Sequence, residues 1–378
     1  MKCEERQLLY CLSAFRLGEK TAQTEEALSP EQWRNLYELA GVHKLIPVVF
    51  ETLWNTPGFC GGEQALFAAW KRDALLQSMD QTRRTRKLLE VTEALRTADI
   101  VYAVVKGAVC RQLYHWPDLR PSGDEDLLIP ANEREKSRKV LMRCGLKHVS
   151  LQQEEDVEHW VDAQTGLHVE LHSCCFSTGW EKETFLNAYF ESCLQETVPL
   201  MLEQGSIMTL RPTENIFFLI AHALKHFITG GFGVRTWADI LSYCEKNGES
   251  IDRTRLWTLL EEIHGAAFFR ALLRLGKVWL GFETAPWGCL SSDSSDDNDL
   301  LSDMLAAGIY GQTSMDRRHS GALSLQLAQG EKEKTSLRLA LFPPANKIAG
   351  RYPILNKVSV LLPAIWMHRI GVYVWGLL

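Results

Sequence analysis

The chain has 378 residues, 46% of them hydrophobic and 23% charged, with a formal net charge of −6. That length admits two or three domains with a substantial core, and that composition excludes a disordered chain. The acidic balance argues against a broad nonspecific nucleic-acid surface, although Lys71, Arg72, Arg83, Arg84, Arg86 and Lys87 form a local basic patch.

Apolar residues recur at helical spacing over residues 4–17, 30–53 and 63–98. Ser29, Pro30 and Gln32 supply a helix start and residues 57–62 a break, so residues 1–98 are predicted to be a helical N-terminal region. From residue 99 the pattern changes to short alternating elements: strand 100–105, helix 107–115, strand 124–129, helix 132–144, and strands 157–163 and 167–172. A turn at Gln164, Thr165 and Gly166 joins the last pair. These elements predict a small mixed sheet within a core spanning residues 99–210.

Helical spacing returns beyond Trp180. A helix opens at Pro212 and runs through Phe227, followed by a glycine-rich turn at 230–233 and a helix over 235–245, within a helical domain spanning 211–340. The acidic, serine-rich stretch 291–303 reads as a solvated connector feeding carboxylates into the next helix's first turn. The C-terminal segment 341–378 ends in an apolar run over 358–378 interrupted by Pro363, His368 and Arg369. It is expected to pack on the protein or to make peripheral contact with a membrane interface, with no transmembrane span. Ten cysteines without a Cys-x-x-Cys pair, and charged residues directly after Met1, point to the cytoplasm.

Chemistry concentrates in three segments. In Asp124-Glu125-Asp126, strand alternation projects the two aspartates from one face and turns Glu125 away. Like charges this close ionise together only beside a cation. Magnesium, or manganese in its place, suits such a set, because it takes one or two carboxylates and completes its shell with water and phosphate oxygens. Downstream, Glu170 stands between His168 and His172 on one strand face and would add a third carboxylate. Upstream, strand 100–105 ends at Lys106-Gly107-Ala108 before a helix, an order suited to holding phosphate at a helix N-terminus.

Taken together, these segments resemble the nucleotidyltransferase superfamily that includes DNA polymerase β, and more closely its uncharacterised nucleotidyltransferase branch. Residues 221–226, Arg235 to Asp239, 341–344 and 351–353 add to the likeness. The resemblance implies an α+β fold: a small mixed-sheet nucleotidyltransferase core flanked by helical N-terminal and C-terminal regions. It implies transfer of a nucleoside monophosphate from a nucleoside triphosphate to an acceptor, a small molecule, RNA or protein, with release of pyrophosphate.

Asp124, Asp126 and Glu170 are then the catalytic and metal-binding residues, with Glu170 holding a second metal or acting as base. Lys106, Gly107, Ala108, Arg120, Lys225, His226 and Arg235 are the nucleotide-binding candidates. Arg120 could instead fix the acidic strand, Asp239 could orient one of the cations, and His168 and His172 would support the metal ligands. The chain departs from the pattern at Ala108, where serine or glycine is usual, at Glu125, where an apolar residue is common, and in the fifteen residues separating Ala108 from Asp124.

His222 and His226 share a helix face at zinc-helix spacing, but Ala223 stands where a zinc-protease helix carries glutamate, and no third ligand is evident nearby. The alternative from another class is a noncatalytic nucleotide-binding or scaffold protein retaining the fold. A kinase or phosphatase is disfavoured, because neither a P-loop nor a kinase motif set is present.

Overall fold

The computed structural model describes residues 1–18, 28–56, 59, 63–149, 157–176, 182–288, 296–308, 362, 363 and 366. The chain divides into two compact units, Met1–Gln329 and Gly330–Leu378, and every element named below belongs to the first. The predicted segments at 341–344, 351–353 and 291–295, and all of 358–378 except Leu362, Pro363 and Trp366, lie outside the described residues.

Among the described residues four helices open the chain: α1 (Cys3–Leu17), α2 (Pro30–Val42), α3 (Ile46–Leu53) and α4 (Gln64–Thr97). Ser29 starts α2 through a capping box with Gln32, and Pro30 takes the first turn, where its missing N–H costs nothing. The predicted continuous run 30–53 is in fact two helices. Lys44 adopts φ +50°, and Pro47, which lacks a donor, fits only the first turn of a new helix. Leu8, Leu9, Leu12 and Phe15 of α1 are fully buried, and α1 packs on both α2 and α3.

The sheet follows, with β1 (Ala103–Val105), β2 (Glu125–Leu128), β3 (Lys147–Val149), β4 (Val157–Val161) and β5 (His168–His172) in the order β1-β2-β5-β4-β3. Only β2 and β5 run parallel; the other pairs are antiparallel. Between strands lie α5 (Gly107–Arg111) and α6 (Arg134–Arg143). Along β5 the odd positions Val169 and Leu171 are buried, whereas His168, Glu170 and His172 are half-buried on the opposite face. This period of two delivers Glu170 to the functional side.

After α7 (Glu183–Cys193) comes a hairpin, β6 (Val198–Leu202) and β7 (Gly205–Thr209), in a region where the sequence predicts only helix. Its short Glu203-Gln204 turn and adjoining Gly205 are the signal that helical periodicity obscured. The Thr209 hydroxyl donates to the Val104 carbonyl at 2.6 Å and fastens the hairpin beside β1. Helices α8 (Pro212–Thr229), α9 (Val234–Lys246), α10 (Arg253–Glu262), α11 (Ala266–Leu280) and α12 (Asp296–Ala307) complete the unit as an α+β fold. Among the described residues no helix is long and apolar enough to cross a membrane.

His43, fully buried after α2, has Nε2 3.1 Å from the Leu305 carbonyl and, among the described residues, no hydrogen-bond partner at Nδ1. Burial drives its pKa down to about 4, against the Leu305 carbonyl, which raises it. The folded state therefore holds the ring neutral while the unfolded chain takes up a proton near pH 6.5. Stability from this group is complete above pH 6.5 and is lost as pH falls toward 4. Between pH 7 and 5 the expected loss is about 2 kcal/mol. It is measurable as the difference in pH slope of urea unfolding between wild type and His43→Gln.

Candidate functional site

The site forms where β1 ends and β2 meets β5. Register pairs Val105 with Asp126, Asp126 with Glu170, and Glu170 with His159 on β4, so one sheet row carries three polar side chains. Asp126 is 1% exposed, an environment in which an unpaired carboxylate would be very costly. Its Oδ1 lies 2.6 Å from Lys106 Nζ and 3.1 Å from His172 Nε2, while its Oδ2 is buried without a hydrogen-bond partner among the described residues. His172 Nε2 also lies 3.4 Å from Glu170 Oε2.

Electrostatics follow from this crowding. Burial opposes the Asp126 charge, but Lys106 and the His172 hydrogen bond outweigh it and hold the carboxyl below its ordinary range. Asp124, immediately before β2, is raised by burial and by the neighbouring Asp126 charge. Burial also opposes the Lys106 ammonium, yet Asp126, Asp124 and Glu170 hold its pKa above the usual lysine value. Lys106 itself takes φ +54°, ψ −112°, a backbone conformation costing on the order of 1–3 kcal/mol. Packing thus enforces the turn that delivers the amine to Asp126.

The metal-spaced set differs in one member from the expected trio. Ligand atoms of Asp126, Glu170 and His172 lie within 4.8 Å of one another, and Asp124 is not part of that group. Hard carboxylate oxygens, one of them orphaned and buried, fit a divalent cation. Ala108, an expected phosphate contact, lies in the first turn of α5. Its N–H donates to Glu125 Oε2 at 2.7 Å, because Glu125 turns to the back of β2 and seats on the N-terminus of α5 beside Arg111.

Gly107 is required by the same packing, since a Cβ there would lie 2.2 Å from Glu125 Oε2 and 3.0 Å from the Asp124 carbonyl. Gly107→Ala is expected to displace Glu125 from its partners and lower stability by about 3 kcal/mol in denaturant unfolding, the scale of a broken buried ion pair.

Arg120 and Arg235 fasten the approach to β2. Arg120 pairs with Asp239 of α9 and donates to Ser122 Oγ at 3.0 Å, while Tyr114 donates to Asp239 at 2.9 Å. Arg235 donates to the Pro121 carbonyl at 2.6 Å. These contacts engage the Arg120 guanidinium with Asp239 and Ser122.

From α8, His222 brings Nε2 to 3.0 Å from Lys106 Nζ and 3.1 Å from His226 Nε2. Burial and the Lys106 charge push the His222 pKa well down, so it meets the ammonium as a neutral acceptor. Lys225 Nζ lies 5.8 Å from the Phe176 ring centroid.

Sequence reasoning missed Arg111, His159 and the structural role of Glu125. His159 was within reach: a hairpin turning at 164–166 that pairs Val161 with His168 necessarily pairs His159 with Glu170. Arg111 carried no pattern that marked it.

No curated protein is significantly similar to the chain. Among solved structures, an antigenic nucleotidyltransferase-like protein from Paracoccidioides brasiliensis is similar at 16% identity, with a TM-score of 0.35, covering 55% of this chain and 96% of its own. The profile of the uncharacterised nucleotidyltransferase family matches residues 29–281. Spanning well over half of the sequence and containing the Lys106 turn, β2, β5 and α8, that match shows that the chain belongs to the uncharacterised nucleotidyltransferase family.

Proposed function

We propose that the protein transfers a nucleoside monophosphate from a nucleoside triphosphate to an acceptor hydroxyl or phosphate, releasing pyrophosphate. The observation that carries this reading is the in-register Asp126–Glu170 pair on parallel strands, with one Asp126 oxygen buried and unpartnered. Asp126 and Glu170, joined by Asp124, would hold magnesium, or manganese in its place. When bound, such a cation neutralises charge growing on phosphate oxygens during in-line displacement.

The chain's own groups supply the rest. Lys106 brings a positive charge to the same volume, held there by Asp126 and His222. His172 donates from Nε2 toward Asp126 and Glu170 and fixes their rotamers, the support that loosely held carboxylates lack. Arg120 and Arg235 act as positioning residues by locking residues 120–122 to α9. Lys225 and His226, on the helix that faces Lys106, are candidates to meet the distal phosphates.

A second reading, a nucleotide-binding or scaffold protein without turnover, is favoured by the Glu125 carboxylate seated on the Ala108 amide, where a phosphate would otherwise find a donor. One experiment separates them. Calorimetric titration with ATP, GTP, CTP and UTP, with and without Mg²⁺, is expected to give metal-dependent binding that Asp124→Asn/Asp126→Asn abolishes. Binding followed by pyrophosphate release on addition of an acceptor supports the transferase. Saturable binding without release across an acceptor panel supports nucleotide binding without turnover, and failure of folded wild type to bind any nucleotide overturns the transferase and leaves the scaffold.

A further inference from the structure

We propose that His159, His168 and Glu170 form a second cation site, selective for a zinc-class transition-metal dication and sharing Glu170 with the Asp126 cluster. His159 projects from β4, His168 and Glu170 from β5, and the antiparallel register fixes all three on one face. His159 Nδ1 lies 3.1 Å from His168 Nε2 and 3.7 Å from Glu170 Oε1, and all three ligand atoms fall within 4.8 Å of one another. Zinc ligands at ~2.0–2.2 Å stand roughly 3.3–3.6 Å apart along a tetrahedral edge, so the His159–His168 and His159–Glu170 separations match a metal's ligand set with sub-ångström adjustment.

Two imidazoles facing each other nitrogen to nitrogen satisfy only one lone pair through a shared proton, whereas a cation takes both. At 3.7 Å the carboxylate is beyond hydrogen-bond range of His159 but within reach of a common metal.

Donor chemistry sets the selectivity. Two nitrogens and one oxygen suit zinc and its neighbours, whereas magnesium prefers oxygen alone. Glu170 divides its oxygens between the sites, with Oε1 toward His159 and Oε2 3.4 Å from His172. Occupancy would pin Glu170 and leave its second oxygen to the Asp126 side, coupling the two positions through one carboxylate. This inference shares a residue with the transferase reading but needs neither nucleotide nor turnover.

The test is calorimetric titration of metal-stripped, full-length protein with Zn²⁺ in excess Mg²⁺, supported by visible absorption of the Co²⁺-loaded protein. Wild type is expected to bind one Zn²⁺ per chain under these conditions. His168→Asn and His159→Asn should each weaken it at least ~100-fold, beyond what loss of a merely orienting residue costs. Asp126→Asn should weaken it by about tenfold or less, the influence of one nearby charge. Circular dichroism establishes that each variant is folded. Absence of Zn²⁺ binding by wild type, or equal weakening by Asp126→Asn and the histidine variants, overturns the proposal. Because nucleotide binding is read on Asp126 and zinc on His159 and His168, either reading can fail alone.

Discussion

Asp126→Asn is expected to lower pyrophosphate release by at least about a thousandfold, equivalent to roughly 4 kcal/mol of transition-state stabilisation. The substitution preserves volume and leaves one neutral oxygen, but removes the charge that Lys106 and His172 converge on. The new side chain would also present an amide where a cation needs an anionic oxygen. Glu170→Gln, on the adjoining strand, should produce a loss of similar order if the two carboxylates act on the same ion. Steady-state assays with radiolabelled triphosphate, alongside circular dichroism, provide the check. Turnover of folded Asp126→Asn within tenfold of wild type would sink the assignment.

How far this site could be read from residues depends on which interactions are local. Alternation along 124–126 and 168–172 placed Asp126, Glu170 and His172 on their faces, and a strand ending at Lys106-Gly107 placed the amine at their edge. Each of those inferences needs only a period of two and one parallel pairing. Arg120 and Asp239, 119 positions apart, meet only because α9 returns to the loop before β2, and no periodicity encodes that. His222, outside the anticipated nucleotide-binding set, meets Lys106 from α8, since a helix's rotation about its axis is set by the whole apolar face it buries. The β6–β7 hairpin escaped notice because Pro199, Leu200, Met201 and Leu202 satisfy helical and strand spacing alike over so short a run.

Glu125 is the sharpest case of a residue whose sequence position suggested one thing and whose packing explains another. A charged residue on the back of β2 would be expected to weaken that face, yet it is 2% exposed and fully engaged. It pairs with Arg111, itself 0% exposed, and accepts from the Ala108 amide. Arg111 in turn donates to Ser122 Oγ at 2.7 Å and Thr85 Oγ1 at 3.4 Å, so the pair ties α5, β2, the preceding loop and α4 together.

Arg111→Met should therefore cost about 3–5 kcal/mol, because it strands a buried carboxylate rather than because the pair itself contributes that much. Arg111→Met/Glu125→Gln should recover a large part of the loss. The glutamine oxygen still accepts from Ala108, and no charge is left uncompensated. Guanidinium unfolding of the two single variants and the double variant measures the coupling, expected at about 2–3 kcal/mol. Additive losses would mean that Glu125 is solvated in a way this packing forbids.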